Sequence, residues 1–201
     1  IDPKDLGRDY DAVIRVNSQS GKGGIAYLLE SNYNVVLPRR IQIEFSQIVQ
    51  QKTDEDGTEI SAQAIWALFK DTYVGAKDAH YSAKNYRLHD ENGNQVIELD
   101  LEVNGVIQHL RGEGNGPISA ILNALQLPID VLTYEERSIS SGAHAKALAL
   151  IELQVKGTGK SAFGAGVHDN IVTSSIEAII ASVNRLIAQD VLSTEQIATA
   201  V

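Results

Sequence analysis

A run of strictly alternating apolar and acidic residues constrains the fold of this chain more than any other feature. Its members are Ile97, Glu98, Leu99, Asp100, Leu101, Glu102 and Val103. A period of two is that of a β-strand with one buried face and one solvated face. Asn92-Gly93 and Asn104-Gly105 flank the run, and Asn-Gly is a preferred pair for the type I′ turn of a β-hairpin. The sequence therefore predicts three consecutive antiparallel strands, the last at Val106–Arg111.

These strands begin a unit of three strands and a helix that is predicted twice. The apolar face of the first helix comprises Ile118, Ile121, Leu122 and Leu125. The second unit has strands at Asp130–Arg137, Ala145–Val155 and Ser161–Val167, and a helix with Ile176, Ile179, Ile180, Val183 and Ile187 on one face. The third strand of each unit ends in Gly-x-Gly, at 112–114 and at 164–166. We therefore predict two pseudo-symmetric β-β-β-α units, at about 80–127 and 130–188.

Residues 1–75 have a different and mainly helical pattern. One helix is predicted to begin at Pro38, and another after Ser61, whose side chain is placed to cap it. Irregular segments are expected at 17–24, 53–58, 74–85 and 189–201. The predicted fold class is therefore α+β, with a small helical linker subdomain at 1–75 and the two β-β-β-α units in a domain at 76–201.

Composition argues against several classes of protein. The chain has no Cys, which excludes disulfides, thiolate metal sites and Cys nucleophiles. Its formal net charge of −9 argues against nucleic acid and anionic membranes as partners. No uninterrupted apolar run approaches the ~18 residues that span a bilayer. The sequence starts with Ile1 and contains no Met, so we expect it to be a piece of a longer protein.

The motifs do not predict a self-sufficient active site. The five histidines form no His-x-His or His-Glu-x-x-His pair, so no metal site is expected. SGKGG at 20–24 lacks the first Gly and the final Ser or Thr of a phosphate-binding loop. SISSG at 138–142 is not the nucleophile elbow of a hydrolase.

Two features are compatible with the binding of a small ligand. GEGNGP at 112–117 joins a strand to a helix, and a glycine-rich helix start offers N–H groups to a carboxylate or phosphate. Ala145, Ala147 and Ala149 share a face of a predicted strand and leave room for an apolar group. A tight helix start and close packing of a helix would explain the same residues, so the alternatives stay open.

Four segments together resemble the 2-isopropylmalate synthase family. They are Gly7–Leu29 (GRDYDAVIRVNSQSGKGGIAYLL), Leu37–Gln50 (LPRRIQIEFSQIVQ), Gly112–Ala120 (GEGNGPISA) and Asn170–Leu186 (NIVTSSIEAIIASVNRL). The chain looks like the C-terminal part of the longer type of this enzyme, and the resemblance extends from Asp2 to Leu186.

The resemblance implies a place for each part of the chain in a cytoplasmic enzyme of leucine biosynthesis. The intact enzyme would condense acetyl-CoA with 2-oxoisovalerate in an N-terminal TIM barrel, absent here, that holds a divalent metal ion. This chain would contain no catalytic residue and no cofactor. Residues 1–75 would be a linker subdomain beside the barrel. Residues 76–201 would be a regulatory domain that forms a homodimer and binds L-leucine as a feedback inhibitor.

Carried over position by position, the resemblance also implies the residues of a leucine site. They are Gly114, Asn115, Gly116, Ile118 and Ser119 in the first unit, and Val131, Tyr134, Ser138, Ala145, Ala147 and Ile171 in the second. The leucine carboxylate would meet the N–H groups of the GNGP turn, and the side chain would lie over Ala145 and Ala147.

Two other hypotheses remain open from the sequence. The first is the matching domain of a citramalate synthase with isoleucine as effector, since one methylene of fit is worth only ~1–3 kcal/mol. LPRRIQIEFSQ at 37–47 favours the leucine enzyme. The second is a structural dimerisation module that binds no ligand.

Overall fold

The computed structural model describes residues 15–16, 22–57, 59–75, 79–139 and 145–193. Its helices are α1 (Lys22–Tyr33), α2 (Arg39–Asp56), α3 (Ala62–Tyr73), α4 (Pro117–Leu125) and α5 (Ile171–Ala188). Its strands are β1 (Arg15–Val16), β2 (Ile60–Ser61), β3 (Tyr81–Glu91), β4 (Asn94–Val103), β5 (Val106–Gly114), β6 (Ile129–Ser138), β7 (Ala147–Val155) and β8 (Ser161–His168). The chain divides into an N-terminal part at 1–69 and a C-terminal part at 70–201. The functional boundary at 75/76 stays a prediction.

Apolar stripes on its helices form the core of the N-terminal part. Along α2, Ile41, Phe45 and Val49 recur at helical spacing and are buried, as predicted. Phe45 meets Phe69 of α3 edge to face, with ring centroids 5.4 Å apart. Aromatic pairs prefer such offset or edge-to-face geometry, which adds to the stabilisation from burial.

In the N-terminal part, two of the three helices begin where the sequence predicts a helix start. Pro38 is the N-cap residue of α2. Ser61 Oγ accepts a hydrogen bond from the backbone N–H of Ala64 at 3.1 Å and so caps α3, as predicted. The third start differs, because α1 begins at Lys22, inside the loop predicted at 17–24. Residues 17–21 of that loop lie outside the described residues.

The loop predicted at 53–58 is wrong, because α2 continues to Asp56. Thr53 is buried in the same stripe as the apolar residues before it. Lys52 and Asp56, one turn apart, form an ion pair at 3.1 Å on the outer face. Gly57 then ends the helix with a left-handed φ of 64° and donates its N–H to the Thr53 carbonyl.

Two antiparallel three-stranded sheets form the framework of the C-terminal part, in the orders β3-β4-β5 and β6-β7-β8. Each is followed by a helix, so the α+β class and the repeated β-β-β-α unit are confirmed. Asn92-Gly93 and Asn104-Gly105 have φ values of 52° and 84°, and of 49° and 84°, as the predicted type I′ turns require. The linker predicted at 74–85 is too long, because β3 already begins at Tyr81.

In each unit the helix lies directly on the backbone of the third strand. A Cβ added to Gly112 would collide with the carbonyl oxygen of Ala120, and one added to Gly166 with that of Ser174. Ala120 and Ser174 each donate the N–H to the N-cap carbonyl of their own helix. Gly112 and Gly166 are therefore equivalent. The first glycine of the motif in β5 and the second glycine of the motif in β8 thus contact the same turn of their helices.

One hydrophobic core joins the two units, built from both sheets and both helices. By length and composition α5 is apolar enough to cross a membrane, but 67% of that stretch is buried inside the protein, which is typical of a core helix. Leu192 is buried in the same core. The tail predicted as frayed at 189–201 is therefore packed at Leu192, and residues 194–201 lie outside the described residues.

Candidate functional site

An open cleft of about 420 Å³ lies where β6 ends, β7 begins and α5 begins. The described residues that line it are Glu136, Arg137, Ser138, Ala145, Lys146, Ala147, Asp169 and Ile171. Small-molecule sites typically have volumes of ~300–1,000 Å³. The structure therefore brings four of the predicted site residues together, namely Ser138, Ala145, Ala147 and Ile171.

Strand alternation places the polar side chains of the cleft. Successive side chains of a strand point to opposite faces, so Tyr134, Glu136 and Ser138 of β6 share one face. Tyr134 on this face packs against the hydrophobic core. Ser138 pairs with Ala147 across the sheet, where β6 ends and β7 begins. The face is therefore apolar at Tyr134 and opens into the cleft at its far end.

The three alanines predicted to share a strand face have three different environments. Ala149 is fully buried in the core. Ala147 is half-buried and lines the cleft. Ala145 is exposed and precedes β7, so the strand predicted from residue 145 begins two residues too early. Room for an apolar ligand group is therefore present beside Ala147 and Ala145 but not beside Ala149.

Tyr134 connects β6 to the first turns of α5. Its hydroxyl lies 2.6 Å from Ser175 Oγ and 2.9 Å from Glu136 Oε2. Burial raises the pKa of Tyr134 to about 12, and the bond to Ser175 only partly opposes this shift. The hydroxyl therefore stays protonated at neutral pH, where it serves as a hydrogen-bond donor.

Charges of both signs line the cleft. Glu136 and Asp169 provide carboxylates, and Arg137 and Lys146 provide cations. A free amino acid at neutral pH also carries one charge of each sign, so this lining suits a zwitterion. No group of three or more His, Asp or Glu side chains within the described ranges is placed to hold a metal ion.

The predicted residues of the first unit surround the start of α4 instead. Gly114 ends β5, and a Cβ there would lie 2.7 Å from the Ala120 backbone nitrogen, so close packing explains this glycine. Gly116 is the N-cap of α4 and has no side-chain cap. A Cβ at Gly116 would meet nothing within 4 Å. Open space and uncapped N–H groups therefore coincide at Gly116, while Gly114 is already in contact with the helix.

The other first-unit candidates differ in exposure. Asn115 and Ser119 are exposed, and Ile118 is half-buried against the core. None of the described residues that line the cleft beside α5 belongs to 114–119. Val131, near the start of β6, is 37% exposed and likewise lies outside that lining. Four of the eleven predicted residues therefore line the cleft beside α5, and the joint role of all eleven in one site stays a prediction.

Sequence reasoning missed the charged half of the cleft. An isolated charged residue in a sequence usually indicates a solvated side chain, so no site was predicted at the four charged residues Glu136, Arg137, Lys146 and Asp169. The useful signal is the period of β6, which places Glu136 on the same face as Tyr134.

The C-terminal part is therefore an α+β domain of two β-β-β-α units with a common core and an open cleft lined by small and charged residues. Residues 59–187 match the family described as "LeuA allosteric (dimerisation) domain". The chain belongs to this family, whose match covers more than half of its length. Residues 1–30 match a second family, described as "Alpha-isopropylmalate synthase, post-catalytic domain-like".

Curated relatives have the same name in several bacteria. The chain is 52% identical over 186 residues to the 2-isopropylmalate synthase of Azoarcus sp. (strain BH72), covering 92% of this chain and 32% of the relative. It is 49% identical over 190 residues to that of Paraburkholderia xenovorans (strain LB400), covering 94% and 33%. It is 48% identical over 189 residues to that of Pseudomonas syringae pv. tomato (strain ATCC BAA-871 / DC3000), covering 94% and 34%. The chain thus spans about a third of the length of these relatives.

Proposed function

We propose that this chain is the regulatory part of a 2-isopropylmalate synthase and binds L-leucine as a feedback inhibitor. The observation that carries the proposal is the cleft beside α5, which combines small apolar residues with charges of both signs. The leucine side chain would lie over Ala147 and Ile171, and its charged groups would meet the rim. The names of the relatives and the allosteric description of the family support the same function.

The energies are sufficient for useful affinity without a metal ion. Burying the side chain of leucine contributes roughly 1.5–3 kcal/mol. Each hydrogen bond to a charged group adds about 1.5–3 kcal/mol before ordering costs. Micromolar binding requires about −8 kcal/mol. One buried side chain and three or four such bonds give a gross total of about 6–15 kcal/mol, and the upper part of this range exceeds that value after association costs of several kcal/mol.

The rest of the enzyme follows as part of the same proposal. The intact cytoplasmic protein would condense acetyl-CoA with 2-oxoisovalerate in a catalytic barrel that holds a divalent metal ion. The regulatory domain would pair with a second copy to form a homodimer. Leucine bound in the cleft would lower turnover in the barrel, while the 201-residue chain would release no CoA from the two substrates.

Calorimetry of the chain with leucine, isoleucine and valine tests the proposal. We expect leucine to bind most tightly. Ala147→Phe should abolish leucine binding, because the phenyl ring would occupy the cleft. Ala188→Phe is the matched control, since Ala188 is an exposed residue at the other end of α5 and the variant should bind leucine normally.

Three outcomes would contradict the proposal. Tighter binding of isoleucine would indicate the citramalate synthase alternative. No binding of any of the three amino acids would indicate a structural dimerisation module. Unchanged leucine affinity in Ala147→Phe would place the site elsewhere on the chain.

A further inference from the structure

Among the carboxylates that line the described part of the cleft, Glu136 is the one that a half-buried side chain, that of Tyr134, holds in position. It lines the cleft from the end of β6. Its Oε2 lies 2.9 Å from the hydroxyl of Tyr134, which itself packs against the core. Asp169, the other carboxylate of the lining, lies on an exposed bend between β8 and α5.

The hydrogen-bond directions follow from the number of available protons. An ionised carboxylate only accepts, so the single Tyr134 proton is donated to Glu136. Ser175 Oγ lies 2.6 Å from the Tyr134 hydroxyl and 2.9 Å from the Ile171 carbonyl oxygen, and with Tyr134 donating to Glu136 the single Ser175 proton is donated to the tyrosine oxygen rather than to that carbonyl. Burial, which raises the pKa of Tyr134 to about 12, keeps this proton in place at neutral pH. Glu136 is thereby fixed at Oε2, while Oε1 makes no hydrogen bond within the described residues.

We propose that Glu136 recognises the ammonium group of the effector, so that the cleft selects a 2-amino acid over the 2-oxo acid with the same side chain. This assignment rests on the proposed function. An ammonium group donates a charge-assisted hydrogen bond to Oε1. A 2-oxo acid presents a carbonyl oxygen at the same position, and two acceptors face each other without a proton. The selection separates amino acids from oxo acids, a class that includes the 2-oxoisovalerate of the proposed reaction.

The effector carboxylate is common to amino and oxo acids, so the groups that bind it contribute affinity without contributing this selectivity. Tyr134 is a positioning residue, because it acts by fixing Glu136. Its removal should weaken the selection without abolishing it.

Calorimetry of the 201-residue chain with L-leucine and with 4-methyl-2-oxopentanoate, the oxo acid of leucine, tests the proposal. We expect Glu136→Gln to weaken leucine binding by about 10-fold to 100-fold, the range for loss of a hydrogen bond to a charged group. Binding of the oxo acid should be unchanged or tighter, because the amide offers a donor. Tyr134→Phe should produce a smaller loss for leucine alone.

Two control variants remove the same charge from neighbouring positions. Glu135 is the next residue of β6 and faces the opposite side of the sheet, so Glu135→Gln should bind both ligands as the parent does. Asp169→Asn should retain the preference for leucine. Melting curves by circular dichroism should show that each variant folds.

The outcomes separate this assignment from the proposed function. If Glu136→Gln keeps the parent ratio of the two affinities while the parent binds leucine, this assignment is overturned and the proposed function stands. Loss of selectivity in Asp169→Asn, with none in Glu136→Gln, would transfer the role to Asp169. Failure of the unsubstituted chain to bind leucine would overturn both.

Discussion

The two β-β-β-α units have the same topology, yet their sheets present different faces away from the core. Along β4 of the first unit, that face carries Glu98, Asp100 and Glu102, which pair with Arg87, His109 and Lys84. Along β7 of the second unit it carries Leu148, Leu150 and Glu152, all buried. The two units therefore share a sheet face that packs into the common core. The opposite face is charged in the first unit and buried in the second.

The helix starts differ in the same way. Asn170 caps α5, with its Oδ1 accepting hydrogen bonds from Val172 N at 2.9 Å and Thr173 N at 3.2 Å. Gly116, the equivalent residue before α4, provides no side-chain cap. Free N–H groups at a helix start favour an anion. The second unit thus satisfies its helix start internally, whereas the first leaves donors for solvent or a ligand.

The largest effect is expected from breaking the contact that both units share. Gly112→Ala and Gly166→Ala should each lower the free energy of unfolding by about 3 kcal/mol or more, the upper range for overpacking, because the atoms that collide belong to helix backbone. Urea denaturation measures the change. Gly23→Ala in α1 is the control, with nothing within 4 Å of the new Cβ. A loss at Gly112 with no loss at Gly166 would disprove their equivalence.

The second-largest effect is expected from side-chain hydrogen bonds of α5 that have no counterpart in α4, because α4 ends before the equivalent position. Asn184, in the last turns of α5, accepts a hydrogen bond from Tyr81 N and donates one to Tyr81 O, each at 3.0 Å. Asn184→Ala should cost about 2–3 kcal/mol, because it leaves two buried backbone groups unsatisfied. Ser182→Ala removes one buried bond, to Ala162 O, and should cost about 1 kcal/mol. Equal losses in the two variants would contradict this role of Asn184.

A smaller effect is expected from exchanging the two helix starts. Gly116→Asn gives α4 the cap of α5 and should stabilise the fold by a few tenths of a kcal/mol. Asn170→Gly should destabilise it by a similar or somewhat larger amount. Thermal unfolding measures both changes. If the α4 start receives the leucine carboxylate, Gly116→Asn should also weaken leucine binding, because the new side chain occupies the N–H donors. Unchanged affinity would remove Gly116 from the site.

The parts of the fold that sequence predicted correctly are those in which local pattern and tertiary burial agree. The alternation of β4 and the Asn-Gly turns have one structural solution each. The end of α2 differs from the prediction because Thr53 is a polar residue, which favours a loop, but its side chain is buried in the helix stripe. The equivalence of Gly112 and Gly166 does not follow from the motif, because three-dimensional packing rather than motif spacing decides which glycine contacts which helix turn.

For the candidate site, resemblance provided residues that spacing alone would not. One cleft is lined by four of these residues, although they come from separate parts of the sequence: Ser138, Ala145, Ala147 and Ile171. Glu136 was missed, because a charged residue on a strand indicates solvent unless its neighbour is known. The period of β6 places Glu136 on the face of Tyr134, but the hydrogen bond between them becomes visible only in the folded structure.

The smallest effect is expected on the charged face of the first unit. Glu98 Oε2 lies 2.5 Å from Arg87 Nη2, but the two side chains are 44% and 74% exposed. Glu98→Gln should therefore change the free energy of unfolding by about 0.5 kcal/mol, as is usual for solvent-exposed ion pairs. At 1 M salt, where the screening length is about 3 Å, the difference from the parent should shrink further. Urea denaturation at low and high salt measures both values. A loss of several kcal/mol that persists in salt would mean that this face is covered, as the face of β7 is, and the contrast between the two sheets would fail.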